Sequence, residues 1–232
     1  MEQFKISAKN LGATALEDFC PRCFWLKLHT KTLPWQSFPG IFASIDGYTK
    51  KCVHHIIDKS NGSPDFNPEW MKQMGEIVGY KQVPHWSKST VLDKKSNIII
   101  SGVPDDILIK SDGQIVLPDF KTSRFTENQD KLMPLYEVQV ITYSILIDFN
   151  ASLYLIYFEP QTTITDSANG FIDGGFKMDF NAKVIPVEND KSKVRRALSM
   201  AREIFEMKTP PQSYPLCKDC HSLESVIELL KK

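Results

Sequence analysis

The chain has 232 residues, is 42% hydrophobic, 24% charged and 11% aromatic, and balances 28 Lys plus Arg against 28 Asp plus Glu. That profile excludes intrinsic disorder, a collagen-like repeat and a coiled coil, and a neutral chain that binds nucleic acid must gather its basic residues locally. No run of about 18 apolar residues is present to span a membrane, and Met1-Glu2-Gln3-Phe4-Lys5 is polar where a signal peptide needs an apolar run, so a soluble cytoplasmic protein is expected.

In chain order, residues 8–28 read as helical, with Leu11, Leu16 and Phe19 on an apolar face and Pro21 punctuating the run before Phe24, Trp25 and Leu28. A Pro-rich loop over 33–40 leads to a second helix over 41–59, closed by the turn signal Asn61-Gly62-Ser63-Pro64. The middle is β. A short strand at 97–101 is followed by 103–110, the turn Ser111-Asp112-Gly113 and 114–121, which together read as an antiparallel hairpin. After a polar loop (122–130), residues 131–148 form a long helix and 152–158 a central strand. Residues 176–187 read as a further strand near an edge. The helix 191–207 buries Val194, Leu198, Ala201, Ile204 and Phe205 and exposes Lys191, Lys193, Arg195, Arg196 and Arg202. A short helix over 223–230 ends the chain. Strands alternating with helices in one continuous pattern predict a single α/β domain over 1–232, a mixed central sheet flanked by helices. Its catalytic core would span 96–160, with the strands at 96–121 and 152–158 and the helix 131–148 forming the sheet and its cover.

The informative residues are Gly102-Val103-Pro104-Asp105-Asp106 and Pro118-Asp119-Phe120-Lys121. A bare D-x-K means little, since Asp93-Lys94-Lys95 fits it and Glu206-Met207-Lys208 fits the E-x-K form. Asp119 and Lys121 differ in their seat on a strand, where side chains two apart share a face while Phe120 points away. With Ser111-Asp112-Gly113 as the loop, Asp105 faces Asp119; a two-residue Asp112-Gly113 loop puts Asp106 there instead. Either way acid faces acid. Like charges directly opposite destabilise a sheet, and a divalent cation such as Mg²⁺, which takes one or two carboxylates and keeps waters, relieves the repulsion. The plainer alternative is a solvated hairpin end whose lysine neutralises its neighbour.

The spaced set G-x-x-D (Gly102 to Asp105), D-x-K-T (Asp119 to Thr122) and Q-x-x-x-Y (Gln139 to Tyr143) resembles the PD-(D/E)XK nuclease superfamily, and within it the RecB-like branch that includes CRISPR-associated exonucleases. Phe19-Cys20-Pro21-Arg22 leading into Phe24-Trp25-Leu26 resembles the opening of that branch. The likeness covers about 7–150 and the cysteine-bearing C-terminus. It implies a restriction-endonuclease-like core and a metal-dependent nuclease acting on DNA in repair, recombination or defence. Asp105, Asp119 and the backbone carbonyl of Phe120 would hold Mg²⁺ or Mn²⁺. Lys121 would orient the attacking water or stabilise charge on the phosphate, and Gln139 and Tyr143, one helical turn apart, would border the site. The branch usually adds a metal-contacting histidine on a helix before the hairpin; His54 and His55 are the nearby candidates, without the expected preceding pattern.

Five cysteines in a chain expected to be intracellular argue against a disulfide framework. Cys52 stands alone and reads as a small buried hydrophobe. Cys20 and Cys23 form one C-x-x-C, and Cys217 and Cys220 another almost 200 residues later. The two pairs meet only if both chain ends (1–60 and 190–232) fold together, and a four-thiolate site then suits zinc or an iron–sulfur cluster. Related exonucleases clasp their ends with a cluster held by one early and three late cysteines, where this chain has two and two. Lys193, Arg195, Arg196 and Arg202 are candidate contacts to a DNA backbone. The chain contains no phosphate-binding G-x-x-x-x-G-K loop, so a helicase partner would be a separate chain. The rival reading is a catalytically inactive nucleic-acid-binding module on the same fold.

Overall fold

The structure, a computed structural model, describes residues 2–30, 39–124 and 131–231. The loops expected over 33–40 and 122–130 therefore lie largely outside the described residues. Strand β1 (Phe4–Ser7) runs into helix α1 (Ala8–Gly12), followed by α2 (Pro21–Thr30) and the long α3 (Gly40–Ser60). A single turn, α4 (Glu69–Lys72), precedes strands β2 (Ile77–Lys81), β3 (Thr90–Asp93), β4 (Ile98–Ser101), β5 (Ile107–Lys110) and β6 (Ile115–Thr122). Helix α5 (Met133–Leu146) leads to β7 (Ser152–Pro160), a short α6 (Ile164–Asn169), a small hairpin of β8 (Phe171–Ile172) and β9 (Gly175–Phe176), and β10 (Phe180–Val187). Helices α7 (Lys191–Phe205) and α8 (Lys218–Leu230) complete the chain.

The principal sheet has five strands in the order β10-β7-β6-β5-β2 and is mixed, because β6 and β7 are parallel while every other neighbouring pair is antiparallel. A parallel pair needs a crossover, which α5 supplies. Alternation along β6 divides the interior in two. Ile115 and Leu117 pack with Val138 and Ile141 of α5, and Val116 and Phe120 pack with Val53 and Ile57 of α3 and Met71 of α4. Strand β7 is buried on both faces, Leu155 and Tyr157 toward one cluster and Ile156 toward the other, which is why its sequence is continuously apolar. The strand expected near an edge is the edge, β10, and residues 177–179 separate it from β9.

Two expectations need correction. Strand β4 is not part of the principal sheet; it pairs in parallel with β1 and antiparallel with β3 in a separate three-stranded sheet. The helix expected over 8–28 is two helices. Ser7 caps α1 by accepting from Asn10 N at 3.2 Å. The chain then leaves the helix after a 3₁₀ turn at Ala13–Ala15 and restarts at Pro21, whose fixed φ and missing N–H fit a first helical position but not an interior one. No helix among the described residues is long and apolar enough to cross a membrane.

Candidate functional site

The β5–β6 hairpin positions the acids. Its register pairs Leu108 with Val116 and Ile109 with Ile115, and Lys110 N donates to Gln114 O at 3.0 Å, so the loop is Ser111-Asp112-Gly113. Gly113 there takes φ +83°, a conformation that suits glycine. Continued along the strands, this register sets Asp105 against Asp119. Strand β5 itself begins only at Ile107; the segment before it is held by side chains. Gly102 lies against α5, where an added Cβ would come within 2.8 Å of the Tyr143 ring and 3.0 Å of Ala8 Cβ. That close approach delivers Pro104, Asp105 and Asp106 to the end of the sheet.

The two neighbouring acids point to different partners. Asp105 Oδ2 accepts from Phe120 N at 2.7 Å, and its Oδ1 meets Lys50 Nζ at 3.0 Å. In an extended strand the N–H and C=O of one residue project to the same edge, so the Phe120 carbonyl faces the Asp105 side as well. Asp106, 1% exposed, turns toward α3: it takes His54 Nε2 at 2.7 Å and the N–H of Ile107 at 2.9 Å. Burial pushes the Asp106 carboxyl up, against the pull of His54. Asp105 is therefore the acid that faces Asp119. His54 is held by Asp106 and stacked on Tyr80 with ring centroids 3.7 Å apart, and His55 is exposed. Neither histidine takes the place beside Asp105; Lys50, one turn earlier on α3, does.

Asp119 is 2% exposed. Its Oδ1 accepts from Gln139 Nε2 at 3.3 Å, and its Oδ2, which accepts no well-formed hydrogen bond among the described residues, pairs with the Lys121 ammonium. Burial raises the Asp119 carboxyl to about 6, with the Asp105 charge adding to the rise and Lys121 opposing it. Burial would lower the Lys121 ammonium, but Asp119 and Asp105 outweigh that and hold it above the usual lysine range. Its Nζ also lies 4.3 Å from the centre of the Tyr136 ring. Behind the acids, Gln139 Nε2 donates to Tyr143 Oη at 2.7 Å, while the buried Gln139 Oε1 has no partner among the described residues. Burial, then the Asp119 charge, pushes the Tyr143 phenol up. All five expected side chains, Asp105, Asp119, Lys121, Gln139 and Tyr143, thus belong to one constellation. Sequence reasoning missed three more participants. Tyr136 precedes Gln139 by three residues on the same helix. Asp46 and Lys50 share a stripe of α3 with His54 at four-residue spacing, a pattern readable only once that helix is known to face the hairpin.

The expected DNA contacts on α7 divide. Arg195 is exposed, Lys193 pairs with Glu137 at 2.6 Å, and Arg196 bonds Ser192 Oγ at 3.1 Å. Lys193 and Arg196 line a groove with Pro134 and Glu137 of α5. Arg202 is buried and is a structural residue, not a DNA contact. Its guanidinium donates to the carbonyls of Ser96 at 2.7 Å, Asn97 at 3.0 Å and Glu2 at 3.0 Å, and lies over the Phe4 ring. It ties α7 to the three-stranded sheet, a long-range role that a helical periodicity does not reveal.

The four paired cysteines converge. Cys20 from the turn before α2 and Cys23 within it meet Cys217 and Cys220 at the start of α8, with sulfurs 3.6 Å (Cys20–Cys220), 3.5 Å (Cys23–Cys217) and 3.4 Å (Cys23–Cys220) apart. All four lie within 4.8 Å of one another and could bind a metal such as zinc or an iron–sulfur cluster. Burial raises the Cys20 thiol, but the N–H groups of Cys23 and Tyr214 bring it down to about 7; burial and the crowding of the other thiols push Cys23 up, and burial pushes Cys220 up to about 12. One thiolate is thus stabilised and further ones repelled, a set that a cation would ionise together. Arg22 braces the junction, donating to Pro211 O at 3.0 Å and pairing with Glu224 at 2.5 Å. Cys52 is half-buried and stands apart on α3.

No family model matches the chain, and no curated protein matches it. Among solved structures it is similar to one described as "Crystal structure of SSO0001", at 14% identity and a TM-score of 0.45, over 91% of this chain and 81% of that one.

Proposed function

We propose that the chain is a divalent-metal-dependent nuclease that hydrolyses DNA phosphodiesters on a core of the PD-(D/E)XK type. The observation that carries this reading is the convergence of Asp105, Asp119 and Lys121 across one hairpin register, with Gln139 and Tyr143 behind them. A carboxyl raised from 3.8 to about 6 costs the folded protein about 3 kcal/mol in its charged form. Ionisable groups held at that cost, beside a second acid, gather at functional sites.

The donors suit a hard cation. The carboxylates of Asp105 and Asp119 and the Phe120 carbonyl are all oxygens. Bound Mg²⁺ or Mn²⁺ would supply a water of lowered pKa and screen the phosphate. Lys121, on the strand face of Asp119, meets the phosphate side and stabilises the negative charge that grows there. Gln139 orients Asp119 through its amide, and Tyr143 orients Gln139, so both act by positioning. Lys193, Arg195 and Arg196 guide the DNA backbone along α7.

The cysteine site is read as structural and mononuclear. Four thiolates around one tetrahedral zinc at about 2.3 Å stand about 3.8 Å from one another, near the 3.4–3.6 Å of three of the sulfur pairs and within the 4.8 Å that bounds all of them. In a four-iron cluster each thiolate sits on a different iron, which spreads the sulfurs further. Metal content and visible absorbance of protein purified without oxygen distinguish zinc from iron. The nuclease reading is tested on plasmid and single-stranded DNA with and without Mg²⁺ or Mn²⁺. Metal-dependent cleavage that Lys121→Ala abolishes supports it; metal-independent binding without cleavage supports the inactive module.

A further inference from the structure

Among the described residues both oxygens of Asp105 are engaged: Oδ2 accepts from the Phe120 N–H at 2.7 Å, and Oδ1, which has no backbone donor, is held by Lys50 Nζ at 3.0 Å. The same ammonium is 2.9 Å from Asp46 Oδ2, one turn back on α3. We infer that Lys50 is a built-in competitor for the metal: it neutralises Asp105 in the metal-free protein and is handed to Asp46 when a divalent cation arrives. This rests on the metal-dependent reading and adds a regulation of the same site.

Charge and geometry both favour the exchange. The cluster holds three carboxylates (Asp46, Asp105, Asp119) and two ammoniums (Lys50, Lys121), so a divalent cation enters a seat largely neutralised already. Like charges a few ångström apart repel, and Lys50 must therefore leave Oδ1 as the cation arrives. It need not go unpaired, because it already touches Asp46. The Asp46 and Lys50 side chains are 45% and 31% exposed, so the shift is a rotamer adjustment at the surface rather than a repacking of the interior. Lys50 is thus a positioning residue that sets how much free metal the site requires.

The test is Mn²⁺ binding to the full chain, followed by the loss of the free-ion EPR signal at fixed pH, with no DNA present. Lys50→Met should bind Mn²⁺ about two- to fivefold more tightly than the unaltered protein, the effect of removing one competing ion pair, and Lys50→Gln should do the same. Asp46→Asn, which strands the ammonium on Asp105, should bind several-fold more weakly. In the Lys50→Met background the Asp46→Asn change should have no effect beyond about twofold, because the ammonium it receives is gone. A merely structural lysine would not strengthen metal binding when removed. If the unaltered protein binds Mn²⁺ and Lys50→Met binds it equally or less well, the exchange is wrong and the metal site stands. If no variant binds Mn²⁺ at millimolar concentration, the metal-dependent reading falls and the exchange with it.

Discussion

On the zinc reading of the cysteine site, removing the metal should release α8 while leaving the rest of the protein folded. Of the 13 residues of α8, the buried one is Cys220 and Leu223 is half-buried, and the polar contacts of the helix to the body are the thiol cluster and the Arg22–Glu224 pair among the described residues. An ion pair between side chains 30% and 54% exposed contributes at most about 1 kcal/mol. Burying one cysteine adds a similar amount, so about 2 kcal/mol opposes the backbone entropy of ordering the helix, which runs to about 1–2 kcal/mol per residue. Four-thiolate zinc binding supplies about 10–16 kcal/mol in small zinc domains, which is enough to decide the outcome. Chelation, or Cys220→Ala, should therefore raise hydrogen-exchange rates across 218–230 by at least about a hundredfold and open 206–217 to protease. Strands β6 and β7 should keep their protection, being anchored by the core independently of the ends. Equal protection of α8 with and without metal would refute the argument.

Three other outcomes follow from the geometry. A proton on Asp119 competes with a cation: since burial raises that carboxyl to about 6, Mn²⁺ affinity should be flat above pH 6 and fall about tenfold per pH unit below it, and a flat profile from pH 5 to 7 would contradict the assignment. Gly102→Ala forces a methyl against the Tyr143 ring and Ala8, so urea unfolding should show a loss of about 1–3 kcal/mol. Arg202→Met leaves the carbonyls of Glu2, Ser96 and Asn97 without their donor and should cost about 3 kcal/mol of stability, with DNA affinity unchanged in a filter-binding assay.

What the sequence disclosed and what it withheld divide along sequence distance. The hairpin, its loop and the shared face of Asp119 and Lys121 depend on residues within about a dozen positions, and local rules reach that far. The choice between Asp105 and Asp106 needed the loop length, and a one-residue difference in register exchanges the faces. Strand β4 gave a clear apolar signal but no sign of its sheet: its neighbour β3 is a four-residue strand with only Val91 and Leu92 apolar, and its other partner, β1, lies some 90 residues earlier. Arg202 looked like its neighbours Arg195 and Arg196 on the exposed face of a helix. Its burial is created by carbonyls at residues 2, 96 and 97, which no periodicity on α7 contains. The same holds for Lys50: its pairing with Asp105 exists only because α3 packs across the hairpin end. The cysteines were the exception, since chemistry alone predicts that two C-x-x-C pairs seek each other.

The central claim is hydrolysis at the Asp105–Asp119–Lys121 constellation, and single-turnover cleavage of an end-labelled single-stranded oligonucleotide, with a duplex in parallel, tests it most directly. With Mg²⁺ or Mn²⁺ the unaltered protein should cut at least one of the two substrates, and EDTA should stop it. Asp119→Asn should abolish cutting while the protein stays folded, and Lys121→Ala should lower the rate of the chemical step far more than DNA affinity. An inert unaltered protein with both metals on both substrates, or undiminished cutting by Asp119→Asn, would contradict the account.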